Sequence, residues 1–260
     1  MLSARERSII AAMANRHLRK KQPFFIAEGL RVCREAVTRK PKWVRLALVT
    51  DDFAESPSGR VFLDDCATSG IRTESVADDV FAPLVETETP QGVLCLCDKP
   101  PYAPADTLPK PFALILDRVA EPGNVGTILR TAWAVGLKTI WMVKGGAEPY
   151  APKVVRSGMG AQFALSFVEF ESLSAAKETL FALGGKRLWC TEETAEITVF
   201  DEERFVLADS GLVIGNEANG ISDTALGTPV TIPMPGNAES LNVAQATTVF
   251  LFEAVRRKML

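Results

Sequence analysis

The chain has 260 residues, 47% hydrophobic and 23% charged, with a formal net charge of -3, the balance of a globular protein with a sizeable core. No run approaches the roughly 18 uncharged apolar residues of a membrane span, and charges occupy MLSARERSII where a signal peptide carries its apolar region, so a cytoplasmic protein is expected. The five cysteines are odd in number and scattered, the only histidine is His17, and no C-x-x-C pair occurs, so we expect buried reduced thiols and no structural metal.

The first 45 residues carry 12 Lys/Arg against three Asp/Glu, a local charge of +9 on an otherwise acidic chain. Such a segment is either a solvated helix face or an electrostatic footprint for a phosphate backbone. Helical stretches near 4–20 and 28–39 interleave with strand-like runs VRLALVT (44–50) and QGVLCLC (91–97), which predicts a small α/β domain over residues 1–97. Alternation puts Cys95 and Cys97 on one face of the second run. From Asp98 to Pro111, DKPPYAPADTLPKP has five prolines in 14 residues, incompatible with a helix interior or a central strand. Residues 98–111 are therefore read as a linker.

Beyond it, FALILD (112–117), TIWMV (139–143), LSFVEF (165–170), RLWC (187–190), GLVIG (211–215) and PVTIP (229–233) alternate with helical segments. Strands separated by helices imply a parallel sheet covered on both faces, so residues 112–260 are expected to form a second α/β domain. Ligands of such sheets sit at the carboxyl ends of the strands, and three loops with unusual composition leave from such ends.

The first loop, LDRVAEPGNVGTILRTAWAVGL, is expected to turn at Pro122, Gly123 and Asn124 and to open a helix with Arg130 about two turns in. A helix N-terminus offers free N–H groups to an anion. An arginine among Ile128, Leu129, Ala132 and Trp133 is either a surface group or a fork that reaches into a cleft. The second loop ends the run LVIG with Asn216 and Glu217, then turns at Gly220, with Ser222 as the expected cap of a short helix. Glu217 is a solvated tip carboxylate or a site group, and nothing local decides between them. In the third, Pro233, Pro235 and Gly236 make the backbone irregular before Ser240 opens the long C-terminal helix. A cap at Ser240 leaves Asn242 unexplained. That helix is apolar on more than one face (Leu241, Val249, Phe250, Leu251, Phe252, Val255), which suits cover by a second subunit.

Several chemistries are excluded. With His17 alone in the basic segment, a Ser-His-Asp triad is not available, and no GxxxxGK[ST] or H-E-x-x-H motif occurs. LILDRVAEPGN lacks the Gly-x-Gly turn of a Rossmann methyltransferase, and TIWMV ends in Lys144 where an acid for a ribose would stand.

Together the three loops resemble the motifs of the SpoU (TrmH-like) RNA ribose 2'-O-methyltransferases of the SPOUT superfamily. Asn124 and Arg130 match the first motif, Gly215 and Glu217 the second, and Ser240, Leu241 and Asn242 the third. VVRSGMGAQF (154–163) is similar to the family's intermediate segment. FFIAEGLRVCREAV and TPQGV are similar to its accessory substrate-binding domain, which has a ribosomal-protein-like fold. The resemblance implies a deep trefoil knot in the C-terminal domain, a homodimer, and S-adenosylmethionine held by Gly215, Ile232 and Leu241, with Met234 and Asn216 nearby. It implies methyl transfer to a ribose 2'-hydroxyl of RNA, ribosomal RNA ahead of transfer RNA. Arg130, Ser240, Asn242, Asn124 and Glu217 would form the catalytic set. A non-catalytic RNA-binding protein that keeps the knotted fold is the alternative.

Overall fold

The computed structural model describes residues 2–236, 238 and 240–259. In chain order its first elements are α1 (Ala4–Ala14), α2 (Arg16–Arg19), β1 (Phe24–Glu28), α3 (Leu30–Arg39), β2 (Val44–Val49), α4 (Asp51–Glu55), α5 (Pro57–Thr68), β3 (Thr73–Ser75), α6 (Asp78–Phe81) and β4 (Val93–Asp98). Then follow β5 (Ala113–Asp117), α7 (Pro122–Ala134), β6 (Thr139–Val143), α8 (Pro152–Gly158), β7 (Ser166–Phe170), α9 (Leu173–Ala182), β8 (Arg187–Thr191), β9 (Ser210–Ile214), β10 (Thr228–Val230) and α10 (Val243–Arg256). Among the described residues, no helix is long and apolar enough to cross a membrane.

The chain divides into two compact units, residues 1–101 with 150–163, and residues 102–149 with 164–260. The first unit carries a four-stranded sheet in the order β1-β4-β2-β3, antiparallel except between β2 and β3. Sequence periodicity ran two of its elements together. The stretch 4–20 is two helices because the Asn15 carboxamide accepts from the His17 and Leu18 N–H groups at 3.0 and 3.1 Å, starting a new helix where the first ends. The stretch 28–39 becomes helical only at Leu30: Gly29, at φ +90°, separates α3 from strand β1, a backbone state that favours glycine. Cys33, Cys66, Cys95 and Cys97 are buried and free here, as is Cys190 in the other unit.

Residues 150–163, counted above with the C-terminal half, pack with this first unit. Val154 and Val155 of α8 are buried, the Tyr150 and Phe163 rings lie 4.9 and 5.7 Å from that of Phe25, and the Arg156 guanidinium donates to the Glu28 carboxylate at 3.2 Å. Chain proximity suggested one assignment and apolar burial made the other.

The second unit is built on a six-stranded sheet, all parallel, in the order β10-β8-β9-β5-β6-β7. Its strands lie within a residue or two of the apolar runs except at β10, which ends at Val230. Pro229 there occupies an edge strand, where a missing N–H is tolerated. The core includes Ile115, Trp141, Val168, Phe170 and Val213, and the rings of Trp189, Phe205 and Phe250 make edge-on contacts at 4.9 and 5.8 Å. From β5 the chain winds outward to β6 and β7, then returns to build β8, β9 and β10 on the other side. The carboxyl ends of β5 and β9 therefore flank the topological switch point, where such sheets bind ligands.

Candidate active site

Three loops meet at that end of the sheet. The loop after β5 is shaped by Asp117 and Arg118. Asp117 is fully buried; its Oδ2 accepts the Ser222 N–H at 2.6 Å and its Oδ1 lies 3.4 Å from Arg118 Nε. Arg118 has φ +59°, a left-handed conformation that costs a non-glycine residue energy. In that conformation its carbonyl accepts from Asn216 Nδ2 at 2.9 Å. Pro122, Gly123 and Asn124, expected in a turn, are instead the first turn of α7: Glu121 caps it, its carboxylate accepting the Asn124 N–H at 2.7 Å, and Pro122 fits the first helical position.

The loop after β9 is a tight hairpin closed by two hydrogen bonds of 2.9 Å between the backbones of Asn216 and Gly220. Gly220 has φ +64°, the bulge position of a three-residue hairpin loop. Gly215 is required for a different reason: a Cβ there would stand 2.5 Å from the Gly220 carbonyl carbon. Ser222, expected as a cap, gives its N–H to Asp117; the short 3₁₀ turn that follows is capped by Asp223, whose carboxylate accepts from Ala225 N at 3.1 Å.

In the third loop the cap also moves. Asn242, rather than Ser240, starts α10, its Oδ1 accepting the N–H groups of Ala244 and Gln245 at 2.9 and 3.3 Å. The backbone turns helical only at Val243, so an acceptor at 240 is too early in the chain to reach the free donors.

A side-chain relay joins all three loops. Glu217 accepts hydrogen bonds from the backbone of Ala120 and Glu121, both at 3.0 Å, and from Asn124 Nδ2 at 2.9 Å. Asn124 Oδ1 in turn accepts from Asn242 Nδ2 at 3.0 Å. Burial pushes the Glu217 carboxyl up, but the donors at Ala120, Asn124 and Glu121 outweigh it and hold the group below its ordinary value. Glu217 is thus a bolt between loops, which answers the question its sequence context left open.

Arg130 and Ser240 stand outside this relay. Both are exposed, and neither side chain makes a hydrogen bond or ion pair with another described residue. Six residues separate Asn124 from Arg130 on α7, about 9 Å of rise and roughly 240° of rotation, so the guanidinium leaves the helix on another face.

Beside the relay lies a cavity of about 400 Å³ lined by Gly215, Asn216, Ile232, Met234, Leu241, Phe250 and the start of the loop after β8. All five residues expected around the cofactor border it. The backbone N–H groups of Ile232, Met234 and Leu241 donate to no other described residue, which leaves them able to read the edge of a nucleobase. A larger groove, about 970 Å³, lies in the first unit and is lined in part by Arg31 and Arg34. It is remote in sequence from all three loops, so the smaller cavity is the one that fits the chemistry. Sequence reasoning missed Asp117, Arg118 and Glu121, although an acid ending an apolar run and an acid before Pro-Gly were signals of a buried anchor and a cap. It also missed the lining residues Thr191, Glu192 and Glu193.

Comparison with known proteins gives the family. The SpoU rRNA Methylase family model matches residues 111–252, and the MRM3-like substrate binding domain model matches residues 9–95. A 23S rRNA (guanosine(2553)-2'-O)-methyltransferase of Bacillus subtilis is 32% identical over 238 residues, covering 90% of this chain and 89% of its own. A 23S rRNA (uridine(2479)-2'-O)-methyltransferase of Streptomyces viridochromogenes is 32% identical over 270 residues, covering 96% and 88%. The crystal structure of the SpoU methyltransferase AviRb from Streptomyces viridochromogenes in complex with the cofactor AdoMet matches with a TM-score of 0.80 at 30% identity, over 98% of this chain and 99% of that one. From its three loops and these similarities, the chain belongs to the SpoU rRNA methylase family.

Proposed function

We propose that this protein transfers a methyl group from S-adenosylmethionine to a ribose 2'-hydroxyl of RNA, ribosomal RNA ahead of transfer RNA. The observation that carries the reading is the cavity at the carboxyl ends of β8, β9 and β10, walled by the loop after β9 and the loop before α10, which Glu217, Asn124 and Asn242 tie to the loop after β5. Its volume falls in the range of small-molecule sites, roughly 300–1,000 Å³. The unpartnered backbone donors of Ile232, Met234 and Leu241 suit an adenine edge, and Gly215 and Asn216 line the same cavity. S-adenosylmethionine, when bound, supplies an electrophilic methyl group on a sulfonium.

The chain's own task is to orient a poor nucleophile and favour the charge that develops on it. An arginine side chain offers donors and no acceptor, so Arg130 is not assigned as the base. Its unpaired guanidinium grips the phosphate beside the target ribose and stabilises the oxyanion, with proton loss to solvent. Ser240, whose hydroxyl has no partner among the described residues, orients the ribose. Asn242, Asn124 and Glu217 are positioning residues, since their polar atoms are already engaged with one another and with backbone. The test is Arg130→Ala: methyl transfer is lost while cofactor binding survives. Near-normal turnover would remove Arg130 from the mechanism.

Residues 1–97 dock the RNA, 98–111 link, and 112–260, apart from the segment 150–163 that packs with the first unit, carry the chemistry. Arg31 and Arg34, exposed and unpartnered among the described residues at the larger groove, are the basic groups for phosphate contact. Reversing both charges should weaken RNA binding and flatten its salt dependence; unchanged affinity and slope would refute that role. The trefoil knot and the homodimer belong to the same reading. The Arg257 guanidinium, just past α10, donates to the carbonyls of Phe205 and Val199 between β8 and β9, at 2.7 and 2.5 Å, and ties the end of the chain to that loop. Phe252 and Val255 of α10, 52% and 39% exposed, support a face covered by a second copy. The protein would act in the cytoplasm.

A further inference from the structure

We infer that Glu192 and Glu193 make the cavity select the cationic methyl donor over its neutral demethylated product. This rests on the reading of the cavity as the donor site. Its lining contains three glutamates, Glu192, Glu193 and Glu217, and no Lys, Arg or His among the described residues. The carboxylate of Glu217 is consumed by three donors. Those of Glu192 and Glu193 have no hydrogen bond or ion pair with any described residue.

Their main chain is fixed at the cavity wall. The Thr191 hydroxyl donates to the Val213 carbonyl at 2.9 Å, the Glu192 N–H to the Val230 carbonyl at 3.0 Å, and the Thr231 hydroxyl to the Glu193 carbonyl at 2.8 Å. With Glu192 half-buried and Glu193 exposed, two spare carboxylates therefore stand on a fixed stretch of the cavity lining. At neutral pH S-adenosylmethionine carries a sulfonium, an ammonium and a carboxylate, a net positive charge. In the transfer the carbon–sulfur bond breaks with its electron pair left on sulfur, the oxygen–carbon bond forms, and the hydroxyl proton passes to solvent. What stays bound is S-adenosylhomocysteine, which is net neutral. Carboxylates with no compensating cation attract the first and are indifferent to the second, so affinity drops once the methyl group has moved, and product leaves.

Calorimetric titration of S-adenosylmethionine and S-adenosylhomocysteine into the wild type, Glu192→Gln, Glu193→Gln and the double variant tests this. Each substitution should weaken the donor by roughly three- to five-fold, the factor of a partly exposed charge contact, and leave the product's affinity unchanged. In the wild type, raising salt should weaken the donor but not the product. An unchanged ratio of the two affinities in the double variant, or equal salt dependence of both ligands in the wild type, would overturn the inference while leaving the donor site standing. A wild-type chain that binds neither ligand would overturn the donor-site reading, and this inference with it.

Discussion

Replacing Glu217 by alanine should damage the site by loosening it. The wild-type carboxylate takes three hydrogen bonds, two from the backbone after β5 and one from Asn124, all between 2.9 and 3.0 Å. A hydrogen bond to a charged group nets about 1.5–3 kcal/mol when protected from water and less when solvated. Glu217 is exposed, so the three together are discounted to about 2 kcal/mol. In a chain of this size that is roughly 4–8 °C of melting temperature. Thermal unfolding followed by circular dichroism reads it directly, and calorimetry with S-adenosylmethionine should give weaker binding in parallel, because the loop after β9 that Glu217 anchors walls the cavity. Glu217→Gln keeps the shape but turns one acceptor into a donor facing a backbone N–H, so it should recover little. A variant that melts within about 1 °C of the wild type yet has lost turnover would refute the reasoning, and would make Glu217 a chemical participant.

Arg118, at φ +59°, should tolerate glycine within about 0.5 kcal/mol and lose about 1–2 kcal/mol with valine, since only the second is penalised in that conformation; equal losses in urea unfolding would assign the contribution to its guanidinium. Gly215→Ala sets a Cβ 2.5 Å from the Gly220 backbone and should weaken S-adenosylmethionine binding at least about ten-fold, roughly 1.4 kcal/mol; unaltered affinity would mean that the hairpin yields freely. Glu253 is buried, and hydrogen bonds from Arg256, opposed by burial and joined by Arg257, hold its carboxyl down to about 2 from an ordinary 4.5. Its contribution is therefore full above about pH 4.5 and lost as pH falls towards 2. Glu253→Gln should lower neutral-pH stability by on the order of 2 kcal/mol and flatten the acid limb over that window; an acid limb of unchanged slope would contradict the pairing.

Much of this was legible before any fold was known, because burial leaves a mark in composition. Past their first residues TIWMV and RLWC are continuous apolar runs, as a sheet covered on both faces demands, and both are strands with the expected starts, TIWMV over its full length and RLWC one residue longer. Five prolines in 14 residues exclude regular structure, and residues 99–112 have none. The motif positions Asn124, Glu217 and Asn242 were also readable, through the resemblance of their loops to the SpoU motifs.

What each of those residues does was decided by partners far along the chain. Asn242 lies 118 positions from Asn124, and Glu217 lies 97 from Ala120; no local pattern encodes a hydrogen bond across such a separation. The same holds for the helix caps. Ser240 and Asn242 are both good cap residues, and the choice depends on where the backbone first turns helical against the sheet. Tyr150 to Phe163 makes the point for packing: its apolar side chains are plain in the sequence, but which core they enter depends on the nearest unfilled surface in three dimensions. Local chemistry therefore determined the strands and the breaks, because periodicity and steric limits act within a few residues, while the resemblance of three loops named the candidate groups. The roles of those groups came from tertiary contacts, because a side chain's chemistry depends on which donors and charges the folded chain sets beside it.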